Sequence, residues 1–122
     1  MPLPDLIIPV PLHERRLRER GFNQSLELAR RIGKAFARQV DGATLRRMRA
    51  TEVQSVLAAK ARRQNVRGAF ASAPGRIDGR SIALVDDVVT TAATVNECAT
   101  ILKRAGAREV NVWAVARAPE RS

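Results

Sequence analysis

Apolar residues occur along this chain in short unbroken runs and in runs at helical spacing. Leu6-Ile7-Ile8-Pro9-Val10-Pro11 is a short apolar run that ends in prolines. It predicts a buried strand leaving a sheet, because Pro cannot donate within a central ladder. A basic stretch to Gly21 then reads as a loop or irregular turn. From Phe22-Asn23-Gln24 the pattern turns helical, with Leu28, Ile32, Ala35 and Phe36 on one face and Asn23 as the N-cap. Thr44 to Met48 predicts a second short strand, and the polar stretch from Arg49 to Gln54 has no clear period. Ser55 to Gln64 predicts a short basic helix, and Ala69-Phe70-Ala71 a small strand before a turn at Pro74-Gly75.

The strongest pattern begins at Ser81-Ile82-Ala83-Leu84-Val85, a continuous apolar strand that runs straight into Asp86-Asp87. A threonine-rich turn follows, then a helix with Val95, Cys98, Ala99 and Leu102 on its inner face and Gly106 suited to its C-cap. Val110 to Ala116 is the final strand. Strand, helix and strand at this spacing make a right-handed crossover and a parallel pair. The expected fold is α/β, a parallel-dominated sheet flanked by helices. The 122 residues fit one domain over residues 1–122.

Composition narrows the partners. Hydrophobic residues make up 45% and aromatics 3%, so the core must be built mainly from Ala, Val, Leu and Ile. With 22 basic against 12 acidic residues the net charge is +10, which implies anionic partners. The charge is uneven: Arg15, Arg16, Arg18 and Arg20 form one cluster, Arg46, Arg47 and Arg49 a second, and Lys60, Arg62, Arg63 and Arg67 a third. Cys98 is the only cysteine, so neither a disulfide nor a cysteine-based metal site can form within one chain. No segment resembles a secretory signal or approaches the roughly 20 apolar residues that span a bilayer. A cytoplasmic protein without a membrane partner is expected.

Asp86 and Asp87 carry the chemistry. In an open parallel sheet, ligands sit beyond the carboxyl ends of the strands. Two adjacent carboxylates there would be costly to desolvate without partners, and the vicinal hydroxyls of a sugar are good ones. Thr90, Thr91 and Thr94 surround the start of the next helix, whose first amides lack internal partners and favour a phosphate. Acceptors for a ribose beside donors for its phosphate match a ribose 5-phosphate group. A single Asp or Thr could simply cap the helix, but that does not account for two carboxylates and three threonines together. Arg matches phosphate bidentately, so Arg15, Arg16, Arg18 and Arg20 fit a pyrophosphate.

Leu84-Val85-Asp86-Asp87-Val88-Val89-Thr90-Thr91-Ala92-Ala93-Thr94 resembles the phosphoribosyl-pyrophosphate (PRPP) motif of type I phosphoribosyltransferases. More narrowly, the chain is similar to the ComF/GntX-like family, named for competence and gluconate-utilisation proteins. Pro9-Val10-Pro11-Leu12-His13, Arg20-Gly21-Phe22-Asn23-Gln24, Gln54 with Leu57, and Arg62 through Asn65 to Phe70 carry that likeness. The resemblance implies that Asp86 and Asp87 hold the ribose hydroxyls. It implies that Thr90, Thr91, Ala93 and Thr94 line the 5-phosphate loop. The turn with Leu12, His13, Arg15 and Arg16, joined by Arg20, would be the pyrophosphate loop. The region with Arg47, Arg49 and Gln54 would be the mobile loop. Magnesium would be held by the substrate rather than by a dedicated set of protein ligands. Ala92 stands where the family usually has Gly; were a positive φ required there, Ala would cost about 1 kcal/mol. Members often begin with a cysteine-rich zinc module and a further helical segment, whereas this sequence starts at the first core strand. The hood that selects the acceptor base is not recognisable.

Three functions follow as expectations. The first is an enzyme that takes PRPP with magnesium and transfers the phosphoribosyl group to an unidentified acceptor. The second is a non-catalytic module that binds PRPP, another phosphorylated ribose or a nucleotide and has a protein partner in DNA uptake. The third, weaker one is direct nucleic-acid binding driven by net charge; the lack of interleaved aromatics argues against a stacking platform for single strands. An apolar sheet edge left exposed would favour a homodimer.

Overall fold

The computed structural model describes residues 3–12, 18, 21, 23–48, 68–89 and 92–117. Its elements are β1 (Leu6–Pro9), α1 (Gln24–Phe36), β2 (Gln39–Val40), β3 (Leu45–Arg47), β4 (Phe70–Ser72), β5 (Ser81–Val89), α2 (Ala92–Arg104) and β6 (Glu109–Arg117). Four strands form a parallel sheet in the order β2-β1-β5-β6, and β3 and β4 pair antiparallel in a second sheet. The expected α/β class holds. β3 falls inside the stretch predicted as a strand, and β4 lies one residue beyond its prediction. The helix expected over Ser55 to Gln64 and the polar stretch before it lie outside the described residues.

Alternation along β1 and β5 distributes their side chains between two cores. Ile8, Ile82 and Leu84 pack with Val95, Cys98 and Leu102 of α2, and with Leu45, Phe70 and Ile77. Ile7, Ala83 and Val85 face the other way and meet Ala29 of α1, with Leu28, Ile32 and Trp113 at the margin. A strand covered on both faces has no use for polar positions, which is why both runs read as unbroken apolar stretches. Each large aliphatic side chain buried this way stabilises the fold by about 1.5–3 kcal/mol.

Helix α1 starts where Asn23 predicts. Its side-chain oxygen accepts from the backbone N–H of Ser25 at 2.9 Å and of Leu26 at 3.4 Å. The buried stripe differs from the expectation: it is Ser25, Ala29 and Gly33, while Ala35 is exposed and Phe36 meets Trp113 edge-on near the surface. Small residues let the helix lie close to the sheet. A Cβ at Gly33 would come within 2.5 Å of Val40 Cγ2 and 2.8 Å of the Arg38 carbonyl oxygen.

The helix ends on Ala37, held at φ 54, with the Arg38 N–H reaching back to the Gly33 carbonyl at 2.9 Å. Glycine normally occupies that left-handed position. The variant Ala37→Gly is therefore expected to stabilise the protein by roughly 0.5–1 kcal/mol, checked by denaturant unfolding.

Candidate functional site

From β1 the chain passes through α1 to β2 on one side of the sheet; from β5 it passes through α2 to β6 on the other. The two helices cover opposite faces, since they contribute to different cores. The crevice between the carboxyl ends of β1 and β5 is thus the topological switch point, where open α/β sheets bind ligands. The pairing of β1 with β5 ends at Pro9 and Val85, and the Val10 N–H still reaches the Val85 carbonyl at 2.8 Å.

Asp86 and Asp87 come next. The sequence places them at the strand's tip, but β5 continues through them to Val89. The nine residues of β6 keep pairing with it: Asp86 opposite Ala114, Val88 opposite Ala116 and Val89 opposite Arg117. The acidic pair therefore lies within the strand, at the point where β1 has turned away.

Both aspartates are half-buried. Ser25, buried in the first turn of α1, donates its hydroxyl to Asp86 Oδ1 at 3.2 Å and lies 3.5 Å from Asp87 Oδ1. The Asp87 N–H donates to Ser25 Oγ at 3.3 Å. Asn23 Nδ2 donates to the Val10 carbonyl at 3.3 Å, tying the start of α1 to the end of β1. Burial, followed by the hydrogen bond and charge of Asp87, pushes the Asp86 carboxyl up to about 6, while the Ser25 hydroxyl pulls the other way. Burial also pushes the Cys98 thiol up, so it stays neutral in the core as expected.

Only two residues separate β5 from α2, so α2 begins five residues after Asp87 in sequence. Its first turn has no acidic side chain to answer the partial positive charge of the helix end. Ala93 and Thr94 lie in this turn; the Ala93 side chain belongs to the core and Thr94 is half-buried. Thr90 and Thr91 lie outside the described residues. Ala92 is the first residue of α2, and Ala37 is the only non-glycine with positive φ among the described residues, so alanine in place of the family's usual glycine strains no backbone here.

Of the expected pyrophosphate loop, Leu12 is half-buried just past β1, and His13, Arg15, Arg16 and Arg20 lie outside the described residues. Arg47, expected in the mobile loop, ends β3 with its guanidinium 4.7 Å from the centre of the Phe70 ring; Arg49 and Gln54 lie outside. Ser25 carries no signal in the apolar pattern. The only hint is its place two residues after the N-cap. A cleft of about 630 Å³ lined by Val40, Asp41, Arg76 and Arg80, among others, opens at the amino end of the sheet, away from the acidic pair. Among the described residues, no helix is long and apolar enough to cross a membrane.

Residues 22–122 match the family model for the phosphoribosyl transferase domain. The chain belongs to that family. The DNA utilization protein YhgH of Escherichia coli O157:H7 is 46% identical over 116 residues, covering 94% of this chain and 50% of that protein. Competence protein F of Haemophilus influenzae is 40% identical over 118 residues, covering 95% of this chain and 52% of that protein. These relatives bear out the ComF-type likeness within the phosphoribosyltransferase superfamily, and the chain spans about half the length of the curated relatives it matches. Two solved structures share the fold, each with TM-score 0.63, 24% identity and coverage of 93% of this chain and 22% of theirs. They are an allosteric regulatory enzyme of purine biosynthesis and the glutamine PRPP amidotransferase of B. subtilis complexed with ADP and GMP.

Proposed function

We propose that this phosphoribosyltransferase-family chain binds PRPP at the crevice between β1 and β5 and transfers its phosphoribosyl group to an acceptor, releasing pyrophosphate. The carrying observation is the pair Asp86–Asp87 at the switch point, held against the first turn of α1 and followed closely in sequence by α2. The carboxylates accept hydrogen bonds from the two ribose hydroxyls. The 5-phosphate sits on the first turn of α2, with Thr90, Thr91 and Thr94 as further donors. The bond from the anomeric carbon to pyrophosphate breaks as the bond to the acceptor forms, and the nearby negative charge of the acidic pair favours the positive charge that develops on the ribose. Magnesium, arriving with PRPP, would neutralise the departing pyrophosphate, and the hard carboxylate oxygens of Asp86 and Asp87 fit such a neighbour.

The names of the relatives, DNA utilization and competence, favour a second reading: a PRPP-binding module whose partners are proteins of DNA uptake. Pyrophosphate release from Mg-PRPP across a panel of nucleobase and amine acceptors separates the two. Release with an acceptor establishes the transferase, and PRPP binding with no release by any of them favours the binding module.

Affinity should also depend on pH. Asp86 loses its proton at about 6, so PRPP binding is expected to be full at about pH 8 and to weaken as pH falls below about 6. An affinity that stays flat down to about pH 5 would remove Asp86 from the ribose contacts.

A further inference from the structure

We infer that Ser25 is a positioning residue for the acidic pair: its hydroxyl, carried on the first turn of α1, holds Asp86 and Asp87 in the orientation that accepts the ribose hydroxyls. The inference rests on the PRPP reading of the site.

The geometry begins in the sheet. Val85 turns its carbonyl toward β1, where Val10 donates to it. The pleat repeats every two residues, so Asp87 turns its N–H to that same side. By then β1 has left, and the amide lacks a ladder partner that a buried donor needs. Ser25 Oγ accepts it at 3.3 Å. The hydroxyl's single proton goes to Asp86 Oδ1 at 3.2 Å, with Asp87 Oδ1 at 3.5 Å as the alternative acceptor. One buried hydroxyl thus fixes the backbone of one aspartate and the carboxylate of the other, across 61 and 62 residues of sequence. Asn23 anchors this turn to Val10, so the hydroxyl cannot drift from the crevice.

A serine that only satisfied the Asp87 amide would leave Asp86 untouched, and that difference is measurable. The groups that shift Asp86 are Asp87 on its own strand and Ser25 from α1, while Asp86 in turn raises the buried Cys98 thiol of α2, which also feels Arg47 of β3 and Glu97 of α2. From β6 the register partner of Asp86 is the uncharged Ala114. Ser25 is the side chain that donates a hydrogen bond to the charged carboxylate, beside the backbone N–H of Asp87. Its removal should therefore make Asp86 harder to ionise.

The test compares wild type, Ser25→Ala and Gly33→Ala. Gly33→Ala crowds α1 against Val40 far from the hydroxyl and serves as a control for general loosening of the helix. Mg-PRPP affinity is measured by calorimetry across pH, and the Asp86 carboxyl is titrated by carbon NMR without ligand. Ser25→Ala should bind about tenfold more weakly at pH 8, with both the acid limb of binding and the Asp86 midpoint moved to higher pH. Gly33→Ala should melt earlier with both midpoints in place. Wild-type binding with an unchanged affinity, limb and Asp86 midpoint in Ser25→Ala overturns the role of Ser25 and leaves the PRPP reading standing. Equal shifts in Gly33→Ala reduce Ser25 to a structural tie and overturn it too. A wild type that does not bind Mg-PRPP removes the ribose reading, and the role assigned to Ser25 falls with it.

Discussion

Replacing Asp86 and Asp87 together by Asn should cut PRPP affinity at least about 100-fold while making the folded chain more stable at neutral and alkaline pH. The loss follows from two charge-assisted hydrogen bonds to the ribose, each worth about 1.5–3 kcal/mol. The gain follows from what the site costs the protein. Burial and Asp87 raise the Asp86 carboxyl from 3.8 to about 6. A raised carboxylate contributes its stability below its unfolded value, and that stability is lost as pH climbs through about 6. Two units correspond to about 3 kcal/mol at most, and solvent screening of a half-buried group brings this to roughly 1–2 kcal/mol. The Asn variant should therefore melt higher than wild type at about pH 8, and the difference should shrink toward zero near pH 4, where Asp86 is already neutral. Melting curves at the two pH values check it. A variant less stable than wild type at both would mean that the carboxylates hold the fold together and are not kept for a ligand.

Gly106→Ala should damage the fold. Gly106 closes α2 at φ +109, with its N–H on the Lys103 carbonyl at 3.1 Å and the following Ala107 N–H on the Leu102 carbonyl at 3.1 Å. Its own carbonyl accepts from Gly79, which ties the end of α2 to the turn before β5. A Cβ here would meet Asp78 Oδ1 at 2.5 Å and Asp78 Cα at 3.3 Å, and the side chain can swing aside but the backbone cannot. Left-handed strain adds about 1–2 kcal/mol. A total loss of roughly 2–3 kcal/mol, or about 10 °C in melting temperature, is expected with the PRPP site intact in the folded fraction. A shift under about 2 °C would show that α2 can end without this turn.

Much of this organisation is legible in the chain. The β5–α2–β6 unit announces itself because β5 is covered on both faces, and the acidic pair stands out because nothing in a buried strand calls for it. Asn23 and Gly106 mark helix ends through the chemistry of their caps. Three features stay hidden for physical reasons. The buried stripe of α1 is made of Ser25, Ala29 and Gly33, which hydrophobicity does not distinguish from surface residues. β2 has only two residues and follows a helix closed by alanine where glycine would have signalled the stop. The continuation of β5 through Asp86 to Val89 is set by the length of β6, a long-range partner that local composition does not show. Ser25 belongs to the first class: its meaning comes from Asp86 and Asp87, more than sixty residues away.

The most direct test of the central claim is a calorimetric titration of Mg-PRPP into the wild-type chain and into the Asp86→Asn, Asp87→Asn double variant, at moderate salt and about pH 8, where Asp86 is charged. Saturable binding to wild type that disappears in a folded double variant is the predicted result. Equal binding by both proteins, or none by a folded wild type, would contradict the assignment of this crevice to PRPP.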